Sequence, residues 1–260
     1  MLITHLYYGD PNKEFSDKLA ETLLTSGSDI LEIGIPYTDP VCDGEIFQRA
    51  CKRAIRGGIT PLMVFDGIRR LRERGFKQPI YLTSYYAPIY KMGLERFVKL
   101  AKSAGVSGLI IPDLLLEEQA ELRKVIARSD PDSLSIIQFA TVYSSRERLK
   151  QIIAASTSFI YCISLPGVTG DSGNQYKLLK LLKTLKSLTD KKIFVGFGIK
   201  SGKDAKEILR LGADGVIVGS AIARIYKEKI SSPEKSLPEI SSFIKSLKDS
   251  TIKRKDKKHD

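Results

Sequence analysis

Histidine is almost absent from this sequence. Its 260 residues contain two, His5 near the start and His259 in the last segment. Too few are present for a Ser-His-Asp arrangement or a histidine-based metal site, so acid–base chemistry is expected from carboxylates, Lys, Tyr or Cys. Cysteine is scarce as well: Cys42, Cys51 and Cys162 show no close ligand spacing of the C-x-x-C kind. An odd count without a signal peptide argues for reduced thiols and a cytoplasmic protein. The opening residues, MLITHLYYGDPNKEF, do not read as a secretory leader. No apolar run approaches the roughly 18 residues of a membrane span.

Acidic residues are outnumbered, 30 Asp and Glu against 42 Lys and Arg, for a formal charge of +12. Part of the excess lies in the terminal run TIKRKDKKHD, so residues 249–260 are expected to form a basic tail outside the folded body. The rest is spread along helical faces such as KSLPEISSFIKSLKD, and no aromatic-interleaved basic motif or recognition module appears. That distribution fits solubility and attraction of anionic metabolites; neither nucleic acid nor membrane is expected as a partner.

What is present is a regular beat. Apolar, β-rich runs alternate with segments of helical period. The strands read LITHLYY (2–8), DILEIGI (29–35), PIYLTSY (79–85), VSGLII (106–111), SLSIIQF (133–139), SFIYCI (158–163), KIFVGF (192–197) and DGVIVG (214–219). Between them lie helical stretches such as KEFSDKLAETLLTSG, PLMVFDGIRRLRERG, LERFVKLAKSAG and KDAKEILRLG. Eight strands, each followed by helix with no break in composition, predict one α/β domain over 1–248, a single (β/α)8 TIM barrel. Extra helices are expected after strand 2, in PYTDPVCDGEIFQRACKRAIRGG, and after strand 8, in SAIARIYKEK.

In such barrels the reacting groups sit at the C-terminal ends of the strands and in the loops that follow. That rule selects Glu32 within strand 2, Asp39 and Asp43 in its long loop, Tyr85 at strand 3, Asp113 at strand 4 and Tyr161 in strand 6. Glycine-bearing turns end strands 6, 7 and 8: PGVTG (166–170), GFGI (196–199) and VGSAI (218–222). Glycine lets backbone approach an anion closely, and Gly219-Ser220 opens a short helix whose first N–H groups are unpaired. Three such turns on one side of the rim, with the extra helix, predict a phosphate site there.

The segment LEIGIPYTDPVCDGEIFQRA resembles the tryptophan synthase α chain family, where a strand-borne Glu precedes a G-I-P-F-S-D-P-x-A-D-G-P loop. YYGDP, SYYAPIYKMG, IIPDLLLEE, ISLPGVTG, VGFGIKSG and ADGVIVGSAI match in order, from about residue 4 to residue 248. The resemblance implies retro-aldol cleavage of indole-3-glycerol phosphate to indole and glyceraldehyde 3-phosphate, a step of tryptophan biosynthesis. It places the general acid–base on Glu32, the group that holds the indole N–H on Asp43, and the phosphate on Gly170, Gly198, Gly219 and Ser220. Tyr161 falls beside the glycerol portion and Tyr85 in the substrate pocket. It implies no cofactor in this chain, and a β partner that carries pyridoxal phosphate, receives the indole and completes an α2β2 heterotetramer. A free-standing lyase and a weakly catalytic regulatory subunit are the alternatives.

The chemistry asks for two carboxyl groups with different tasks. Cleavage requires protonating C3 of the ring, which makes a cationic indolenine; one carboxylate faces that cation while another delivers and then collects a proton. Glu32, between Leu31 and Ile33 in a dry barrel, is expected to hold a proton more readily than Asp43 in a polar loop.

Several positions depart from the family pattern. Asp43-Gly44 is followed by Glu45 rather than proline, Ala87 stands for Asn, Leu115 for a second proline, and Ala140-Thr141-Val142 for A-P-T. The sequence is expected to start at strand 1, without the usual preceding helix. Exposed apolar groups are expected at Tyr37, Val41, Pro88, Ile89, Leu114, Leu115 and Leu116, where the family meets its partner.

Overall fold

The computed structural model describes residues 1–130, 134–163, 172–196 and 198–252. β1 (Leu2–Tyr7) leads through α1 (Lys13–Thr25) to β2 (Ile30–Gly34), and α2 (Glu45–Arg56) and α3 (Pro61–Glu73) precede β3 (Ile80–Thr83). α4 (Tyr86–Met92) and α5 (Leu94–Ser103) lead to β4 (Gly108–Ile110), and α6 (Ala120–Ser129) to β5 (Ser135–Thr141). α7 (Arg146–Ala155), β6 (Ile160–Ile163), α8 (Ser172–Lys186) and β7 (Ile193–Gly196) follow. The chain then forms α9 (Gly202–Arg210), β8 (Gly215–Val218), α10 (Ser220–Lys227) and α11 (Leu237–Thr251). Each strand pairs in parallel with the next and β8 returns to β1, which closes a barrel of eight. The expected TIM barrel is thus the fold, and α2 and α10 are the helices added after strands 2 and 8. No helix among the described residues is long and apolar enough to cross a membrane.

Local chemistry sets the helix starts. Asn12, Ser145 and Ser201 each place a side-chain oxygen on an N–H of the first turn, and Thr60 does so ahead of Pro61. Three details differ from the sequence reading. α4 was hidden by Pro88, which suggests a loop but sits in the first turn, where its missing N–H leaves no bond unmade. β5 runs later than expected because Ala140 and Thr141 still pair with Cys162 and Ile163. α11 runs to Thr251, two residues beyond the segment KSLPEISSFIKSLKD; residues 253–260 of the basic tail lie outside the described residues.

Period-2 alternation sorts the strand side chains into two buried sets. One set, including Leu31, Ile33, Leu82, Ile136 and Val195, packs outward against the helices. The other fills the barrel, with Ile3, Ile30, Tyr81, Ile110, Ile137, Phe159, Phe194 and Ile217. By the same alternation the inward residues two places further on, His5, Glu32, Thr83, Phe139 and Tyr161, face a cavity at the C-terminal end. Gly34 pairs with Tyr7 across β1 and β2, and a β-carbon there would lie 2.5 Å from the Tyr7 ring. The missing side chain is what lets Tyr7 stand inside the barrel.

A buried carboxylate fixes the frame around that end. Asp10, fully buried after β1, accepts from Arg53 Nε at 2.6 Å and Nη2 at 2.8 Å, and from the Tyr226 hydroxyl at 2.6 Å. The bidentate fork joins the β1 loop to α2, and the phenol joins both to α10.

Candidate active site

A cavity of about 540 Å³ opens at the C-terminal ends of the strands. Its walls are mostly apolar, with Ile110, Pro112, Phe139, Ile163, Ile199 and Ile217 among them. Two kinds of polar group line it: the side chains of His5, Glu32, Thr83, Asp43 and Tyr161, and a glycine-rich set of Gly198, Gly219 and Ser220 with Arg224.

Glu32 comes from the middle of β2, where pairing with His5 on β1 and Tyr81 on β3 fixes its direction. It is 4% exposed. The Thr83 hydroxyl donates to Oε1 at 2.5 Å, and His5 Nδ1 lies 3.0 Å from the same oxygen. That Nδ1 is close enough for an ion pair yet makes no hydrogen bond, and Glu32 Oε2 likewise has no hydrogen-bond partner among the described residues. One oxygen is held by the protein and the other is left over. A buried, unsatisfied carboxylate oxygen in a cavity wall is the sort of group a ligand completes.

Asp43 stands where the loop after β2 turns into α2. Its Oδ2 accepts from the Tyr7 hydroxyl at 2.7 Å and the Tyr85 hydroxyl at 2.8 Å. Tyr85 also accepts from the Cys42 N–H at 2.9 Å, so the same phenol holds the loop backbone. Burial first, and then the Asp43 charge, pushes both tyrosines well above the ordinary phenol range. They remain donors.

The structure gives Tyr85 a different part from the one expected of it. It is 1% exposed and absent from the cavity wall, so it supports Asp43 from behind rather than lining the pocket. Tyr161 does line the cavity, and burial followed by the charges of Glu32 and Asp43 raises its pKa strongly. Asp39 takes the Thr38 hydroxyl at 2.5 Å, its carbonyl the Val41 N–H at 2.8 Å; it orders the loop at an exposed position. Asp113 accepts from the Tyr86 N–H at the start of α4. Burial pushes the Cys42 thiol up, against nucleophilic use.

Sequence reasoning set histidine aside, and the structure corrects this. His5 is buried in the same cavity, between the edges of Tyr7 at 5.0 Å and Phe47 at 4.8 Å between ring centroids. Burial disfavours its charged form, but the Glu32 carboxylate beside it, with a further contribution from Asp43, leaves its pKa raised. The signal was present in the strand alternation: Ile3-His5-Tyr7 and Ile30-Glu32-Gly34 share the inward face. Testing His5 only against triads and metal sites hid it. Among the described residues no group of three or more His, Cys, Asp and Glu is placed to hold a metal.

In the glycine-rich set, Ser220 opens α10 with Gly219 as its cap, and the first N–H groups of this helix have no intrahelical acceptor. Gly219 must lack a side chain, because a β-carbon would lie 2.7 Å from Phe47 Cζ and 3.0 Å from His5 Cβ. Gly198 lines the cavity beside them. Gly170, with its PGVTG turn, lies outside the described residues.

The family model of the tryptophan synthase alpha chain matches residues 1–252. The tryptophan synthase alpha chain of Petrotoga mobilis is 38% identical over 248 residues, covering 95% of this chain and 94% of its own length. That of Methanococcus maripaludis is 37% identical over 260 residues, covering 100% and 98%. A solved tryptophan synthase alpha chain from Legionella pneumophila superposes with a TM-score of 0.85 at 29% identity, covering 96% of this chain and 91% of that one. A chain from the tryptophan synthase α2β2 complex of Pyrococcus furiosus gives 0.84 at 30% identity, covering 95% and 96%. Barrel, cavity and likeness along nearly the whole length agree: the chain belongs to the tryptophan synthase α chain family, whose reaction is the carbon–carbon cleavage of indole-3-glycerol phosphate.

Proposed function

We infer that Glu32 is the general acid–base of this cleavage, Asp43 the partner of the indole N–H, and Gly198, Gly219 and Ser220 the phosphate site, completed by Gly170. One observation carries the reading. A carboxylate with a spare oxygen and a second carboxylate share one apolar cavity with the N-terminus of α10. The apolar walls suit a flat ring, and the unpaired N–H groups of α10 suit a phosphate, with Arg224 adding positive charge. Glu32 protonates ring C3, Asp43 faces the resulting cation across the N–H, and the bond to the carbinol carbon breaks as Glu32 takes the hydroxyl proton. Tyr161 lies beside the glycerol chain. Tyr7 and Tyr85 hold Asp43 still, so its charge is in place before the cation forms.

Glu32→Gln should lower indole release by about 10²-fold or more while glycerol 3-phosphate still binds. Nearly normal turnover would remove Glu32 from the chemistry.

The partner in this reading is a β chain in a cytoplasmic α2β2 assembly; the pyridoxal phosphate belongs to that chain, which receives the indole. Val41, Tyr90 and Leu115, after strands 2, 3 and 4, are 79%, 67% and 59% exposed, which favours a docking face over a free-standing lyase. The expected patch is smaller than foreseen, because Ile89 and Leu114 turn into the core, and it gains Tyr90. Leu115→Lys should abolish a gel-filtration complex with the cognate β chain and spare the slow cleavage by the isolated chain. A complex that survives the lysine would move the interface elsewhere.

A further inference from the structure

The cleavage as derived needs two carboxylates and no imidazole, yet the only histidine among the described residues is buried against one of them. His5 and Glu32 are register partners on β1 and β2, and Nδ1 stands 3.0 Å from Oε1. Both side chains are under a tenth exposed. The ring is clamped at right angles by Tyr7 and Phe47, and the bare Gly219 backbone makes room for both His5 and Phe47. Around the pair stand Thr83 from β3 and Tyr161 from β6, on the Glu32 side, and Tyr7 from the strand of His5 and Asp43 from the loop after β2; Glu45 and Arg224 stand in the cavity wall. Among the described residues His5 is the only cation-forming group within ion-pair distance of Glu32. An isolated carboxylate at this depth would be poorly tolerated, and an aromatic clamp on its one basic neighbour fixes the distance between them.

We propose that His5 is the positioning residue of Glu32, and that the two side chains act as one coupled pair whose single proton sets the pH range of catalysis. The proposal rests on Glu32 as the acid–base group. Before reaction the pair carries one proton, on the imidazole or on the carboxyl. Glu32 passes it to ring C3, leaving neutral His5 beside a carboxylate, and the ring becomes the cation that Asp43 faces. The bond from C3 to the carbinol carbon then breaks, its electron pair returns to the ring, and the aldehyde forms. The hydroxyl proton goes to Glu32, and the pair again carries one proton. Nothing is consumed besides substrate. The proton supply belongs to the pair, so its titration does too.

His5→Phe keeps an aromatic ring between Tyr7 and Phe47 and removes the proton site. The alkaline limb of the kcat profile for indole release should move to lower pH by about one unit or more, while KM changes less than about twofold. An unmoved limb would leave His5 a packing residue and overturn the proposal. Imidazole proton NMR supplies a readout without turnover, since the chain has only His5 and His259 to assign. In the wild-type chain one imidazole should titrate well above the other, and Glu32→Gln should bring it down. If Glu32→Gln leaves the buried imidazole where it was, the two side chains are not coupled and the proposal fails, even where His5→Phe does not fold. Full indole release by Glu32→Gln would instead sink the acid–base reading itself; loss of release in Glu32→Gln with an unmoved limb in His5→Phe sinks the His5 proposal alone.

Discussion

The two polar sets that line the cavity are built on opposite principles. The carboxylate set, from β1 to β3, is made of side chains that hold other side chains: Thr83 on Glu32, Tyr7 and Tyr85 on Asp43, Tyr7 and Phe47 on His5. The set proposed for phosphate is backbone, with Gly219 and Ser220 at the start of α10 and Gly198 after β7. The difference follows from what each set is proposed to bind. A proton transfer needs a group within a few tenths of an ångström of the right place, which packed and hydrogen-bonded side chains provide. A phosphate is a diffuse dianion that several N–H dipoles can hold without any single side chain being decisive.

The largest test of this contrast is made in the backbone set. Ser220→Asp places a carboxylate at the first position of α10, which the helix itself favours. Folding should therefore survive, while affinity for glycerol 3-phosphate, measured by calorimetry, falls by about 10²-fold through like-charge repulsion. Unchanged affinity would put the phosphate elsewhere on the rim. Gly219→Asp is a poorer probe, because any β-carbon there collides with Phe47. A smaller effect is expected from Tyr7→Phe, which removes one of two donors from Asp43 Oδ2. Turnover should drop by about tenfold with KM little changed, since a hydrogen bond to a charge is worth about 1.5–3 kcal/mol and Tyr85 still holds the other side. A matching rise in KM would mean that Tyr7 binds substrate instead of holding Asp43.

The smallest effect is in stability. The folded state raises the His5 pKa, so the contribution of the His5–Glu32 pair is fully present below the unfolded value of about 6.5 and disappears as pH rises through the raised folded value. Urea midpoints for wild type should therefore fall over that window relative to His5→Phe. Parallel curves for the two proteins would deny the pair any part in stability.

How far the sequence could be read follows the same division. The eight-strand order, α2 and α10 were legible because period and turn chemistry are local. Glu32, Asp43, Gly198, Gly219 and Ser220 all line the cavity, and each was marked by its place at a strand end or by a motif. What escaped was the neighbourhood. That Tyr85 serves Asp43 and not the cavity depends on the loop after β2 folding back over β3. His5 escaped although alternation and register would have set it beside Glu32, because that step needs two strands considered together. The apolar patch lost Ile89 and Leu114 for a similar reason: Ile89 and Val41 look alike in sequence, and only packing decides which one is buried.

The Asp10 clasp has a consequence for how this sequence can drift. One carboxylate satisfies both the Arg53 fork and the Tyr226 hydroxyl, so the three positions, far apart in the chain, are not free to change singly. Losing Asp10 strands a guanidinium and a phenol together, and losing Arg53 leaves a fully buried carboxylate without its counter-charge. Either step alone is steep, about 3–5 kcal/mol where a buried pair is broken, whereas exchanging the whole set for apolar side chains of equal volume is close to neutral. Replacements at 10, 53 and 226 should therefore travel as a block between related sequences. Double substitutions among them should cost much less than the sum of the singles.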